Sequence, residues 1–209
     1  MPAEQSDSGA DGLSRRRGKV FGIGLSRTGT RSLAAAFSRL GFRAGHYDAA
    51  LRAMTIADGE VAPDFDLIDA WEALTDIPVA ATYRKLDERF ADSRFILTVR
   101  EPSSWLASCK VHYAADRTKY ILEKNLELDK ILALRRCVYG QSIFSPDGYL
   151  AAYRCHEREV LSHFSGRPSK LLVLNICAGA GWDELCGFLD LPPPAEPFPR
   201  ENSSRTRAR

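Results

Sequence analysis

The stretch Lys19–Leu40, KVFGIGLSRTGTRSLAAAFSRL, constrains this chain more than any other. Val20, Phe21 and Ile23 make Lys19–Gly24 a short apolar run of the kind that forms a buried strand. A loop rich in Gly, Ser and Thr follows, GLSRTGTRS. From Arg31 the spacing turns helical, with Leu33, Phe37 and Leu40 in register, and Gly41 stands where a C′ glycine ends a helix. Strand, glycine-containing loop and helix together suit an anion. The first N–H groups of the helix lack intrahelical partners, and its dipole favours negative charge there.

The loop has the glycine spacing of a Walker A loop, G-x-x-x-x-G-K-[ST], in Gly24 and Gly29. Thr30 stands where that loop needs its phosphate-binding lysine, and the cations are instead Arg27 within the loop and Arg31 after it. A phosphate cradle follows from this pattern, and ordinary ATP or GTP chemistry does not. A tight strand-to-helix turn that binds nothing is the alternative.

Further along, Arg94–Val99 (RFILTV) is the strongest strand signal, and its unbroken apolar run predicts an interior place in a parallel sheet. Arg100 ends that strand and Ser108 lies eight residues on, in a helix that Pro102 opens. An arginine at a strand end offers a planar fork of donors to a phosphate, and a helical serine adds a hydroxyl. Alternatively, Arg100 pairs with Glu101 or another carboxylate, and Ser108 is simply helical.

Around these stretches, strands alternate with helices. Phe42–Tyr47 is expected as a second strand. Leu51–Asp66 reads as mixed, interrupted by Gly59 and Pro63. Phe65–Thr75 reads as a helix feeding a brief strand, and residues 79–90 as an amphipathic helix. Beyond Tyr113 come one or two helices to Tyr139, a helix over 147–164, a strand over Lys170–Asn175, a helix over 181–191 and a proline-rich closing loop. This order predicts an α/β fold with a mainly parallel sheet and ligands beyond the C-terminal strand ends. Trp71, Trp105 and Trp182 are expected in the core.

A chain of 209 residues suggests a single domain over 19–202, with a polar tail at 1–18 expected to be disordered and a loose end at 203–209. With 29 basic and 27 acidic residues, several of the arginines at the two ends, nothing marks nucleic acid as a partner. The five cysteines show neither C-x-x-C spacing nor an even number, so reduced thiols and a cytoplasmic location are expected, with no metal site. The first 18 residues lack an apolar signal core, and no run nears the ~20 apolar residues that span a bilayer. A membrane partner is therefore not expected.

Taken together, SRTGTRS and the Arg100…Ser108 pair resemble sulfotransferases that use 3′-phosphoadenosine-5′-phosphosulfate (PAPS). The first is similar to their 5′-phosphosulfate loop, typically K-[ST]-G-[ST]-[ST], and the second to their 3′-phosphate motif. TDIPVAATYRKLDERFADSRFILTVREPSSW and KLLVLNICAGAGWDELCGFLDLPPPAEPFPREN look like a bacterial branch of sulfotransferase-like proteins. The resemblance runs from Lys19 to Asn202, with a less typical middle at 114–150. It implies a P-loop-type three-layer sandwich, PAPS as co-substrate, and sulfuryl transfer to a hydroxyl or amine of a small-molecule acceptor without a metal.

By the same resemblance, Thr28, Gly29, Thr30, Arg31 and Ser32 would hold the 5′-phosphate, and Arg100 and Ser108 the 3′-phosphate, with Arg200 reaching it from the closing loop. Arg27 stands where the family carries lysine; it can stabilise the leaving charge but is a poor proton donor. Asp76, in Asp76-Ile77-Pro78, looks like the counterpart of the family's H-x-P segment and is the first candidate base; His46 is the second. Each has a plainer reading, as a turn residue and a packing residue. A P-loop nucleotide kinase or hydrolase, and a non-catalytic nucleotide-binding protein on this scaffold, remain open, as does a homodimer.

Overall fold

The computed structural model describes residues 18–114 and 123–201. Apart from Gly18, the expected tails lie outside the described residues, as does part of the less typical middle.

Seven strands form among the described residues: β1 (Val20–Gly22), β2 (Ala44–Gly45), β3 (Met54–Ala57), β4 (Glu60–Pro63), β5 (Ala73–Thr75), β6 (Arg94–Thr98) and β7 (Leu171–Leu174). Five make one sheet in the order β2-β5-β1-β6-β7, with every neighbouring pair parallel. The helices are α1 (Thr30–Arg39), α2 (Tyr47–Arg52), α3 (Phe65–Asp69), α4 (Ile77–Ala80), α5 (Tyr83–Arg89), α6 (Pro102–Ala114), α7 (Leu128–Tyr139), α8 (Pro146–His163) and α9 (Trp182–Leu189).

Both faces of the sheet are covered, which is why its strands read as continuous apolar runs. Side chains alternate between faces along each strand. Phe21, Phe95 and Leu97 join Trp105, Tyr149 and Leu86 in one core. Val20 and Ile96 join Leu33, Phe37 and Leu185 in the other. The result is the α/β fold with a parallel sheet that the alternation of elements predicts, layered as the three-layer sandwich that the resemblance implies, with β1 at the sheet centre and β6 beside it in the interior.

Three local expectations change. Leu51–Asp66 contains the β3–β4 hairpin, turned at Asp58 and Gly59, which have φ of 51° and 78°. An Asp-Gly pair with both residues at positive φ is the favoured two-residue hairpin turn. The helix expected over 79–90 is split between α4 and α5, where the Thr82 hydroxyl donates to the carbonyls of Pro78 and Val79. The strand expected over 42–47 shrinks to Ala44–Gly45, and His46 becomes the N-cap of α2.

Candidate functional site

Because β1 lies between β5 and β6, the loop leaving it is flanked by the segments that follow those two strands. Gly24 admits no side chain, since a Cβ there would stand 1.9 Å from Thr98 Oγ1 and 2.5 Å from the Thr98 carbonyl oxygen. Thr28 Oγ1 donates to the Leu25 carbonyl at 2.6 Å and lies 2.6 Å from Thr98 Oγ1. Gly29 turns into α1 with φ of 107°, in the left-handed region, and α1 has neither a side-chain cap nor an acidic residue in its first turn. The loop is thus built rigidly from below, and its helix presents an unmodified positive end.

Arg27, also at positive φ (76°), projects towards α6, where its Nε donates to Ser108 Oγ at 3.0 Å. Arg100 turns to the same loop: Nη1 donates to the Arg27 carbonyl at 3.3 Å, while Nε and Nη2 donate to Ser104 Oγ. Glu101 is engaged elsewhere, its carboxylate accepting from the N–H groups of Ser103 and Ser104 at the start of α6. Arg27, Arg100 and Ser108, far apart in sequence, therefore form one cluster.

A second cluster lies on the other side of the loop. Asp76 Oδ1 accepts from Ser26 Oγ and from the Ile77 N–H at 2.7 Å. Its Oδ2 accepts from Thr30 Oγ1 at 3.0 Å and faces His46 Nε2 at 2.9 Å. His46 Nε2 is also 3.2 Å from Thr30 Oγ1. Burial by itself would raise the Asp76 pKa; the charge of His46 and the hydrogen bonds from His46, Ser26 and Ile77 outweigh it and hold the carboxyl well below the usual range. The backbone of Asp76 sits at φ 89° and ψ −178°, a region almost confined to glycine.

The remaining expected residues are less convergent. Arg31 is exposed at the start of α1. Ser32 is buried, its hydroxyl accepting from the Glu201 N–H of the closing segment at 2.9 Å. Arg200 donates to the carbonyls of Ile176 and Gly179, past the end of β7, rather than to the loop or to Arg100.

Sequence reasoning missed several supports. The Trp105 indole N–H donates to the Ser26 carbonyl at 2.9 Å, His156 Nε2 lies 2.7 Å from the Ile23 carbonyl, and the Tyr153 hydroxyl donates to the Arg100 carbonyl at 2.7 Å. Burial lowers the pKa of His156, so neutral imidazole donating this hydrogen bond is its favoured form. These partners are backbone atoms, which leave no pattern in a sequence. Ser26, inside SRTGTRS, was the one visible signal. α4, α5, α7 and α8 line an open groove of about 620 Å³ whose lining includes Ala80, Tyr83, Tyr139, Ala152 and His156. Burial, then Tyr113, Cys109 and the charge of Asp76, push the Tyr139 hydroxyl far above its ordinary range, so it stays protonated while accepting from the Tyr113 hydroxyl.

Among the described residues, no group of three or more His, Cys, Asp or Glu is placed to hold a metal ion, and no helix is long and apolar enough to cross a membrane. The chain is similar to the Ava biosynthesis cluster protein M of Aspergillus versicolor, 28% identical over 212 residues, covering 87% of this chain and 79% of that protein. Its fold is similar to that of a sulfotransferase from Alicyclobacillus acidocaldarius, with a TM-score of 0.51, 17% identity, and coverage of 91% of this chain and 88% of the other. Residues 19–207 match the family described as Sulfotransferase domain, and the chain belongs to that family.

Proposed function

We propose that this protein transfers a sulfuryl group from PAPS to a hydroxyl or amine of a small-molecule acceptor. The observation that carries this reading is the bridge between the two anion motifs. Arg100 hydrogen-bonds the Arg27 carbonyl, and Arg27 hydrogen-bonds Ser108, so the 5′ loop and the 3′ motif are one connected surface.

In the reaction, the bond between sulfur and the bridging 5′-phosphate oxygen breaks, and its electron pair stays on that oxygen. A new bond forms from sulfur to the acceptor atom, which gives up a proton. The products are adenosine 3′,5′-bisphosphate and the sulfonated acceptor. Negative charge growing on the departing oxygen is stabilised by preorganised N–H donors at the start of α1 and by Arg27. An arginine keeps its own proton, so Arg27 acts by charge rather than by protonating the leaving group. The acceptor is expected beside Asp76 and His46, and we take as its site the groove lined by Ala80 and Tyr139, whose hydroxyl feels the charge of Asp76 and whose volume is typical of small-molecule sites.

Thermal melting tests the donor. Adenosine 3′,5′-bisphosphate at 100 times its Kd should stabilise the fold by about 2.7 kcal/mol. We expect the shift in the wild type and its loss in Arg100→Ala. Indifference to the bisphosphate, or a response to ATP with Mg²⁺ alone, refutes the reading. Against the kinase alternative stands Thr30, which occupies the Walker lysine position and donates to Asp76.

A further inference from the structure

We infer that the acceptor carries a carboxylate away from the hydroxyl or amine to be sulfonated, and that the Tyr83 hydroxyl, in the wall of the groove, recognises it. This deepens the reading of the groove as the acceptor's site and rests on it. Among the described residues, three buried side-chain polar atoms have no hydrogen-bond partner: the Tyr83 hydroxyl, Asp87 Oδ1 and the Tyr149 hydroxyl. Asp87 Oδ1 has the Lys170 ammonium at 3.3 Å, and Tyr149 is not part of the groove lining. Tyr83 is part of it, and it is only 5% exposed. A buried hydroxyl that no protein group satisfies costs stability, so a native fold keeps one where something else pairs with it. In the wall of a small-molecule groove, that partner is an atom of the ligand.

The tyrosine is held for this task. It opens α5, and its ring packs against His156, His163 and Phe164, with centroids 6.1, 5.3 and 6.1 Å away. Packing on several sides fixes where the hydroxyl sits before any ligand arrives, which lowers the cost of binding. The charges that act on the hydroxyl come from Arg84, Glu159 and Cys155, and all three line the groove. Burial is the largest influence and pushes its pKa up, so the group stays protonated and donates. A donor selects an accepting oxygen on the ligand.

The charges around it select the sign. The charged residues of the lining are Arg84 and Lys85 against Glu159, an excess of cations that favours a carboxylate over an ammonium group. Arg84 and Glu159 stand 3.7 Å apart with both side chains about half exposed, a weak pair whose guanidinium a carboxylate can share. Ala80, Val138, Ala151 and Ala152 add small apolar walls for the body of the molecule. The two groove tyrosines thus differ in role. Tyr139 feels the charge of Asp76 and belongs to the reacting end, whereas Tyr83 meets the far group. A site that hydrogen-bonds one substrate group rejects the analogue that lacks it.

The test is calorimetric titration of the full chain, with and without adenosine 3′,5′-bisphosphate, using three phenols of matched shape: 3-(4-hydroxyphenyl)propionate, 4-ethylphenol and tyramine. A hydrogen bond to a charged group predicts that the wild type binds the propionate about 10–100-fold more tightly than either of the others. In Tyr83→Phe that preference should vanish. Urea unfolding of the unliganded chain separates recognition from a structural role. Tyr83→Phe removes a buried hydroxyl without a partner, so its midpoint should equal or exceed that of the wild type. Equal affinity of the wild type for the three phenols, binding of none, a preference retained in Tyr83→Phe, or a lowered urea midpoint would each overturn the inference. Propionate binding that depends on Tyr83 in a chain indifferent to the bisphosphate supports the recognition and fails the donor reading alone.

Discussion

Gly24→Ala is the sharpest test of how the loop after β1 is held. A methyl group there would lie 1.9 Å from Thr98 Oγ1, 2.5 Å from the Thr98 carbonyl oxygen and 2.8 Å from Thr28 Oγ1. The hydroxyls can rotate, but the carbonyl is part of the rim of β6 and cannot. Overpacking of this kind costs about 1–3 kcal/mol. Rotating Thr98 also breaks its contact with Thr28, both residues being buried, which adds about 1 kcal/mol. We therefore expect a loss of about 2–4 kcal/mol, a large part of the 5–15 kcal/mol typical of a domain. Urea unfolding measures it, with the bisphosphate melting shift as a parallel readout. Thr98→Ala in the same chain removes the Oγ1 clash but not the carbonyl clash, so it should rescue only part of the loss. A destabilisation below about 0.5 kcal/mol, or complete rescue, would show that the backbone approach is not what demands glycine at this position.

Two other perturbations follow from the geometry. Ala152→Trp fills the groove beside Tyr139, so acceptor KM should rise severalfold while the bisphosphate melting shift stays; an unchanged KM for every acceptor tested would remove the groove from the site. Asp87 anchors the far end of the sheet, accepting from His163 and Arg167 at 2.8 Å. Burial would raise its pKa, but the hydrogen bonds from Arg167 and His163 prevail and lower it from 3.8. A depressed carboxylate stabilises the fold above the unfolded pKa and loses that contribution as pH falls through the folded one. Asp87→Asn should thus be less stable at pH 7 and should lose less stability on acidification below about pH 4, read as urea midpoints at both pH values.

The strand–loop–helix at Lys19–Leu40 was legible because each part has a local cause. An apolar run, two glycines at fixed spacing and a 3.6-residue stripe do not depend on distant residues. The same holds for β6, for the helix after Arg100, and for the alternation that gives an α/β sandwich. The β3–β4 hairpin was missed although Asp58-Gly59 marked its turn, and the break at Thr82 was hidden within a good amphipathic pattern. Arg200 shows another limit: nothing in the sequence marks its partners, the carbonyls of Ile176 and Gly179 beyond β7.

By itself, then, the sequence determined most of the segments that become strands and helices and the polar residues that follow their ends. Tertiary structure alone decided which of those ends meet. Arg27 reaches Ser108 across 81 positions, and Asp76 meets both Thr30 and His46, because β5 and β6 flank β1 in the sheet. Strand order is set by burying both sheet faces at once, a property of the whole chain, whereas periodicity records only what a segment does with its nearest neighbours.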